Sequence, residues 1–431
     1  MEGHLLMSDK ELKRRGAFEM VSQGAWSLVD AASHLRLSYR QCRRSYKRYV
    51  AEGDAGLVHK SRGRQSNRAK DSQLRQAVLQ RYDQRYEGFG PTLAAEKLQE
   101  EGYEVDHETL RRWLIREGKW QRHRKRSPYR KRRERREHFG ELVQMDGSEH
   151  QWFGPDHPAG CLINMIDDAT GRKKSLMAEA ETTEACMRAL WAWVNQYGMP
   201  KALYTDKKNV FITDREPTIE EQLAGEEPKT AFGKACAKLG IEIIAANSPQ
   251  AKGRVERTHG VDQDRLVKEL KLRAVVTIAG ANKLLSSGYE TRMNNKLAVP
   301  ARSDKDYHRR VPKGLKLAHV FCFEEERTVS NDWVVSYHNR LLQISSDNQT
   351  LPKAGRKVTV QRLLDGTLRL LYKGEALRYR ELATEERRPV TKIPRPAPKA
   401  VATRVVTRPA PDHPWRTPWP HTGSRQATAT G

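Results

Sequence analysis

One stretch constrains this chain more than any other. Between residues 141 and 272 the apolar pattern changes period several times in a fixed order. The run 142–146 is mostly apolar and ends on Asp146. The run 161–167 is apolar again, and Asp168-Ala169-Thr170-Gly171 after it is turn chemistry. A third strand is expected over 174–180, so 141–180 reads as a three-stranded antiparallel meander. Residues 183–197 switch to helical spacing, with Ala185, Ala189, Ala192 and Trp193 on one face. A short strand over 200–205 ends beside Asp206, a helix follows over 231–239, and a strand over 241–244. Ser248-Pro249 opens a long helix to about Leu272. A meander followed by alternating helices and strands predicts an α/β core.

Charge says what that core works on. The chain of 431 residues carries a formal net charge of +25. Residues 1–140 hold 33 basic and 19 acidic side chains, residues 386–431 hold 9 and 2, and the stretch between holds 37 and 33. A nearly neutral body with two basic ends needs a polyanion, and double-stranded nucleic acid is the expected partner. Five cysteines without a C-x-x-C pair disfavour a zinc knuckle or a disulfide framework, which fits a reducing compartment. No apolar run approaches the roughly 18 residues of a membrane span, and no signal core opens the chain. A cytoplasmic, nucleoid-associated protein without membrane contact is expected.

The basic N-terminal third carries two candidate helix-turn-helix domains, over 8–58 and 70–118. In the first, Ser27 with Asp30 caps a short helix, Arg36-Leu37-Ser38 forms the turn, and Ser38 with Gln41 caps a second helix. That helix sets Cys42, Tyr46 and Tyr49 on one face and Arg40, Arg44 and Lys47 on another, with Arg43 nearby. A basic second helix after a tight turn is the layout that enters a major groove. In the second, Gly88 to Pro91 breaks a helix, Gly102 ends another, and Asp106 caps a third. Leu110, Trp113 and Leu114 of that third helix face inward, leaving Arg111 and Arg112 outside. Residues 119–138 form a basic linker: 11 of the 19 residues over 119–137 are Lys or Arg.

Three motifs in the central stretch carry a resemblance. They are Gln144-Met145-Asp146-Gly147 followed by Trp152, then Leu203-Tyr204-Thr205-Asp206-Lys207-Lys208-Asn209, then Asn247-Ser248-Pro249-Gln250-Ala251-Lys252-Gly253-Arg254-Val255-Glu256-Arg257. Together they resemble the integrase catalytic core, an RNase H-like fold, and the whole layout resembles bacterial insertion-sequence transposases of the ISNCY type. The resemblance covers about residues 8–385. It implies a core over 139–275 whose catalytic and metal-binding acids are Asp146, Asp206 and Glu256. It implies two Mg²⁺ ions, with Mn²⁺ as a substitute, and a DDE-type polynucleotidyl transferase acting on terminal inverted repeats and target DNA as a homodimer or larger assembly. Three hard carboxylates suit such ions, which serve in-line displacement at phosphorus.

Glu149, His150 and His259 are the expected supporting residues of that site. Lys252, Arg254 and Arg257 are the expected DNA contacts on the long helix. Asp167 and Asp168 are read as turn residues. Between Asp206 and Glu256 lie 49 residues, more than relatives of this kind usually have. The excess fits residues 213–229, where six acids, two prolines and a glycine read as an inserted surface loop. The alternatives are a non-catalytic helix-turn-helix regulator with a degenerate core, and an RNase H-type nuclease.

Beyond the core, 276–318 reads as a helical connector. Five short β-rich runs and the Asp365-Gly366 turn predict a small β-barrel over 319–385. The tail 386–431 holds 9 of the 20 prolines and reads as disordered.

Overall fold

The computed structural model describes residues 5–62, 70–121, 134–225, 227–246 and 253–382, together with His413. The chain divides into two compact units, Met1–Lys131 and Arg132–Gly431. The tail, most of the basic linker and the first part of the third motif lie outside the described residues.

In the first unit, α1 (Asp9–Ser22), α2 (Leu28–His34) and α3 (Tyr39–Glu52) close round Phe18, Ala31, Ala32, Cys42 and Leu57, all buried. Ser27 and Asp30 form the expected reciprocal cap at α2. At α3 only half of the expected box is made: the Ser38 hydroxyl accepts the Gln41 N–H at 3.3 Å. Arg36 takes a left-handed φ of 51° between the two helices, which lets the turn be tight. Glu11 is buried beneath this bundle, paired with Arg62, and its carboxyl is pulled down to about 2, chiefly by the Ser8 backbone N–H.

A second helical group comprises α4 (Ser72–Arg85), α5 (Pro91–Glu100) and α6 (His107–Arg116). Pro91 begins α5 because its missing N–H falls where a helix needs none. Asp106 caps α6 by accepting from the Glu108 and Thr109 N–H groups. Leu93, Leu98, Leu110 and Leu114 are buried, as their spacing requires.

The second unit is built on a five-stranded sheet in the order β3-β2-β1-β4-β5. Its strands are β1 (Leu142–His150), β2 (Gly160–Asp167), β3 (Lys173–Ala178), β4 (Ala202–Thr205) and β5 (Glu242–Ala245). The first three form the antiparallel meander, and β4 and β5 join β1 in parallel. β2 is buried along its whole length. The helices α7 (Thr183–Tyr197) and α9 (Ala231–Leu239) cover one face, where Val143, Met145, Leu190, Trp193 and Phe232 pack together. α10 (Gly253–Leu272) lies against the other.

The stretch 213–229 is not wholly irregular. Thr218 and Glu221 make a capping box, and α8 (Ile219–Ala224) follows. The segment expected only to connect the core to the C-terminal domain instead completes it. α11 (Ile278–Leu284) and α12 (Glu290–Leu297) pack on β3, where Glu290 accepts from Lys174 and the Ser175 N–H and Asn282 pairs with the Met177 backbone.

Past the core, seven short strands form two sheets. One runs β11-β10-β9-β6, from Glu375–Leu377, Leu368–Tyr372, Lys357–Leu363 and Cys322–Thr328; the other runs β12-β8-β7, from Tyr379–Leu382, Arg340–Ile344 and Val334–Tyr337. They share a core of Val335, Tyr337, Leu342, Val358, Val360 and Leu370. No helix among the described residues is long and apolar enough to cross a membrane.

Candidate active site

The site grows out of β1. Residues two apart on a strand share a face, so Gln144, Asp146 and Ser148 point the same way. α10 occupies that face. The Val255 N–H donates to Gln144 Oε1 at 3.2 Å, and Gln263 Nε2 donates to Ser148 Oγ at 3.1 Å. Eight helical residues rise roughly 12 Å. Four strand residues rise roughly 13 Å. The two lengths match, so α10 runs alongside β1 in the same direction, and Glu256 leaves its first turn on the helix edge that carries Gln263.

β4 supplies the other acid. In the parallel ladder Gln144 stands opposite Tyr204. Asp146 lies two residues further along β1, and Asp206 two residues past Tyr204. β4 ends at Thr205, so Asp206 is the first residue beyond the ladder. The β1–β4 boundary is where the antiparallel meander gives way to parallel strands. Open α/β sheets bind ligands outside the strand ends at such a switch point.

A buried polar frame holds these elements. Asp168 accepts from Gln144 Nε2 at 2.8 Å, from Arg254 Nη1 at 2.9 Å and from the Arg136 N–H at 2.9 Å. It therefore does more than make a turn, joining β1 to the start of α10. Asp167 is the true turn acid, accepting from Thr170 and the Gly140 N–H. Further along α10, the buried Asp262 pairs with Lys173 and accepts from Asn164 Nδ2 at 3.1 Å. Asn164 is the residue opposite Asp146 on β2.

One acid beside the site was not legible in the motifs. Glu181 lies between β3 and α7, with its side chain only 5% exposed. It is ion-paired with Lys208, which also stands 3.4 Å from Asp206. Burial raises the Glu181 carboxyl above its usual range; Lys208 opposes this, and Asp146 and Asp206 add to it. Burial alone would lower Lys208, but its bond to Glu181 and the charges of Glu181, Asp206 and Asp146 together outweigh that and raise it. The only sequence signal for Glu181 was an acid directly before the Thr182 cap, which is also an ordinary helix-start pattern.

Several expected residues have other roles. Glu149 points to the opposite face of β1 from Asp146, and His150 stands four residues along with its ring edge-on to Trp152 at 5.3 Å. His259 is half-buried on α10. Arg254 is 17% exposed and is taken up by Asp168, which corrects its reading as a DNA contact. Arg111 and Arg112 both pair with Glu108, so the exposed face of α6 is less cationic than its sequence implies. Arg257 is exposed, as are Arg40, Arg43, Arg44 and Lys47 on α3. Lys252 lies outside the described residues. Among the described residues, no three His, Cys, Asp or Glu side chains stand close enough as placed to hold one ion.

Helical modules ahead of a mixed-sheet core of this topology define a helix-turn-helix protein with an α/β, integrase-like core. Residues 13–65 match the helix-turn-helix domain family, and residues 41–114 match the homeodomain-like domain family. A Sinorhizobium fredii protein that carries the name transposase y4bF is 38% identical over 391 residues, covering 89% of this chain and 84% of that protein. The transposase for insertion sequence IS1202 of Streptococcus pneumoniae is 30% identical over 318 residues, covering 65% of this chain and 67% of that one. The chain belongs to the bacterial insertion-sequence transposases. Among solved structures, the HTLV-2 integrase catalytic core domain in complex with magnesium is 18% identical, with a TM-score of 0.27, covering 35% of this chain and 86% of that one. A simian T-cell lymphotropic virus intasome chain is 12% identical, with a TM-score of 0.30, covering 67% and 98%.

Proposed function

We propose that this transposase cleaves DNA at terminal inverted repeats and joins the freed ends to target DNA, with Asp146, Asp206 and Glu256 as its catalytic acids. The observation that supports this best is the parallel register of β1 and β4. It brings the strand segments that lead to Asp146 and Asp206 next to each other, and the Val255–Gln144 bond joins the start of α10 to the same part of β1.

The donor set is all carboxylate oxygen, which suits Mg²⁺ or Mn²⁺ and no softer ion. Two such ions, when bound, would supply the Lewis acidity that in-line displacement at a phosphodiester requires. Asp146 and Asp206 offer oxygens from two neighbouring strands and Glu256 offers one from a helix, so closure depends on α10 staying in register. Water first displaces the 3′-oxygen at an element end. The free 3′-hydroxyl then attacks a target phosphorus, one P–O bond forming as another breaks. Arg40, Arg43, Arg44 and Lys47 face solvent on α3, where a second helix meets base edges. Arg257 is placed to meet a phosphate near Glu256. Two ends must be handled together, so a homodimer or larger assembly acts on chromosomal DNA in the cytoplasm.

The test is cleavage of labelled terminal-repeat DNA with Mg²⁺ by the wild type, Asp146→Asn and Glu256→Gln. Both variants are expected to keep DNA binding and to lose at least about a hundredfold in rate, the scale on which a positioned electrostatic group matters. Wild-type rates in both variants would reject the assignment.

A further inference from the structure

We infer that Glu181 is a fourth carboxylate of the cation site and that Lys208 is its built-in counter-ion before a divalent cation binds. The inference rests on the reading of Asp146 and Asp206 as cation ligands. Three observations carry it.

The first is an unmet bond. Glu181 Oε1 is buried and has no hydrogen-bond partner, whereas Oε2 is taken by Lys208. A carboxylate oxygen deprived of water and left unpaired is costly, so a native chain keeps one where a ligand or its water completes it.

The second is space made for it. A Cβ on Gly147 would come within 2.6 Å of Glu181 Oε2 and 2.9 Å of Cys161 Sγ. Residue 147 follows Asp146 directly, and its lack of a side chain is what lets Glu181 lie against the strand. The φ of Gly147 is not in the left-handed region, so backbone conformation does not account for the glycine.

The third is the charge pattern. Lys208 links Glu181 to Asp206 while remaining 50% exposed, and the charges of Asp146 and Asp206 both act on Glu181. An ammonium on a flexible stem can neutralise the acids and then swing away. A divalent cation entering beside Asp206 would repel Lys208 and offer a bound water to the open oxygen of Glu181. Lys208 would then be turned toward solvent, where a DNA phosphate passes.

This makes opposite predictions for the two partners, which a purely structural ion pair does not. Mn²⁺ binding to the full-length protein, without DNA, is measured by electron paramagnetic resonance. Glu181→Gln keeps the shape and removes the charge; it is expected to weaken Mn²⁺ binding about tenfold, the usual effect of removing an outer partner of a metal site. Lys208→Gln removes the competing charge and is expected to tighten Mn²⁺ binding by about threefold, a modest gain because the ammonium is partly screened by solvent. Its melting temperature without metal should fall, and Mn²⁺ should restore more of it than in the wild type. If Lys208→Gln does not stay folded, the Glu181→Gln/Lys208→Gln double variant carries the test and should bind Mn²⁺ more weakly than the wild type.

Unchanged affinity in Glu181→Gln, weaker affinity in Lys208→Gln, or wild-type affinity in the double variant would overturn the inference. Asp146→Asn separates the two levels. If it abolishes Mn²⁺ binding while Glu181→Gln does not weaken it, only the fourth acid is wrong. If Asp146→Asn also binds normally, the underlying site assignment fails.

Discussion

Asp262→Asn tests how the core holds α10. Asp262 is fully buried on α10, and its partner Lys173 on β3 is 4% exposed. The aspartate also accepts from Asn164 Nδ2 at 3.1 Å and from the Tyr289 hydroxyl at 3.4 Å. The substitution conserves shape and leaves the Lys173 ammonium inside the protein with only neutral partners. Removing one member of a buried pair costs about 3–5 kcal/mol, because the remaining charge stays desolvated. In a folded unit of this size, 1 kcal/mol moves the melting temperature by about 2–4 °C, so the core should melt roughly 10 °C lower. The assay is thermal unfolding of the full-length chain, with amide exchange in β2 and α10 to assign the transition to the core. Lys173→Met/Asp262→Leu removes both charges and should recover most of the loss. α10 also carries Glu256, so cleavage by Asp262→Asn should fall at temperatures where the fold persists. A melting shift under about 3 °C, or a double variant as unstable as the single one, would refute the reasoning.

Two further outcomes concern the N-terminal unit. Arg44→Ala should weaken binding to cognate repeats more than to random DNA, read by competition at fixed salt; an equal loss on both would mean that Arg44 touches only phosphate. Glu101 is clamped by Arg81, Arg85 and Tyr86, and Arg81 above all holds its carboxyl down to about 2 from 4.5. A depressed acid contributes stability that is complete above its unfolded value and is lost as pH falls through its folded one. The protection of α4–α6 amides, taken relative to their intrinsic exchange rates at each pH, should therefore fall between about pH 4.5 and 2, and Glu101→Gln should flatten that dependence; an unchanged profile would discard the clamp.

Much was readable without coordinates because it depends on local chemistry. The caps at Ser27 and Asp106 follow from short side chains that satisfy a helix start. The faces of α3 and the order of the core elements follow from apolar periodicity, a property of adjacent residues. Asp146 and Asp206 were visible because each follows an apolar run, although β1 continues past Asp146 to His150. The errors came where a charge was judged by its own residue and not by its neighbour. Arg254 looks like a DNA contact in sequence, yet Asp168, 86 positions away, claims it. Glu290, which looks like part of a connector, is a buried acceptor for β3.

The sequence by itself therefore determined the elements, their order, and which segments are basic and which carry the candidate acids. Only the tertiary structure decided which charges are available. It set β4 beside β1 in parallel, tied α10 to β1 through Val255 and Gln263, and paired Glu181 with Lys208, which also reaches Asp206, from separate loops. The physical reason is that helix and strand propensities act over a few residues, whereas the state of a charge depends on what burial and long-range pairing place next to it.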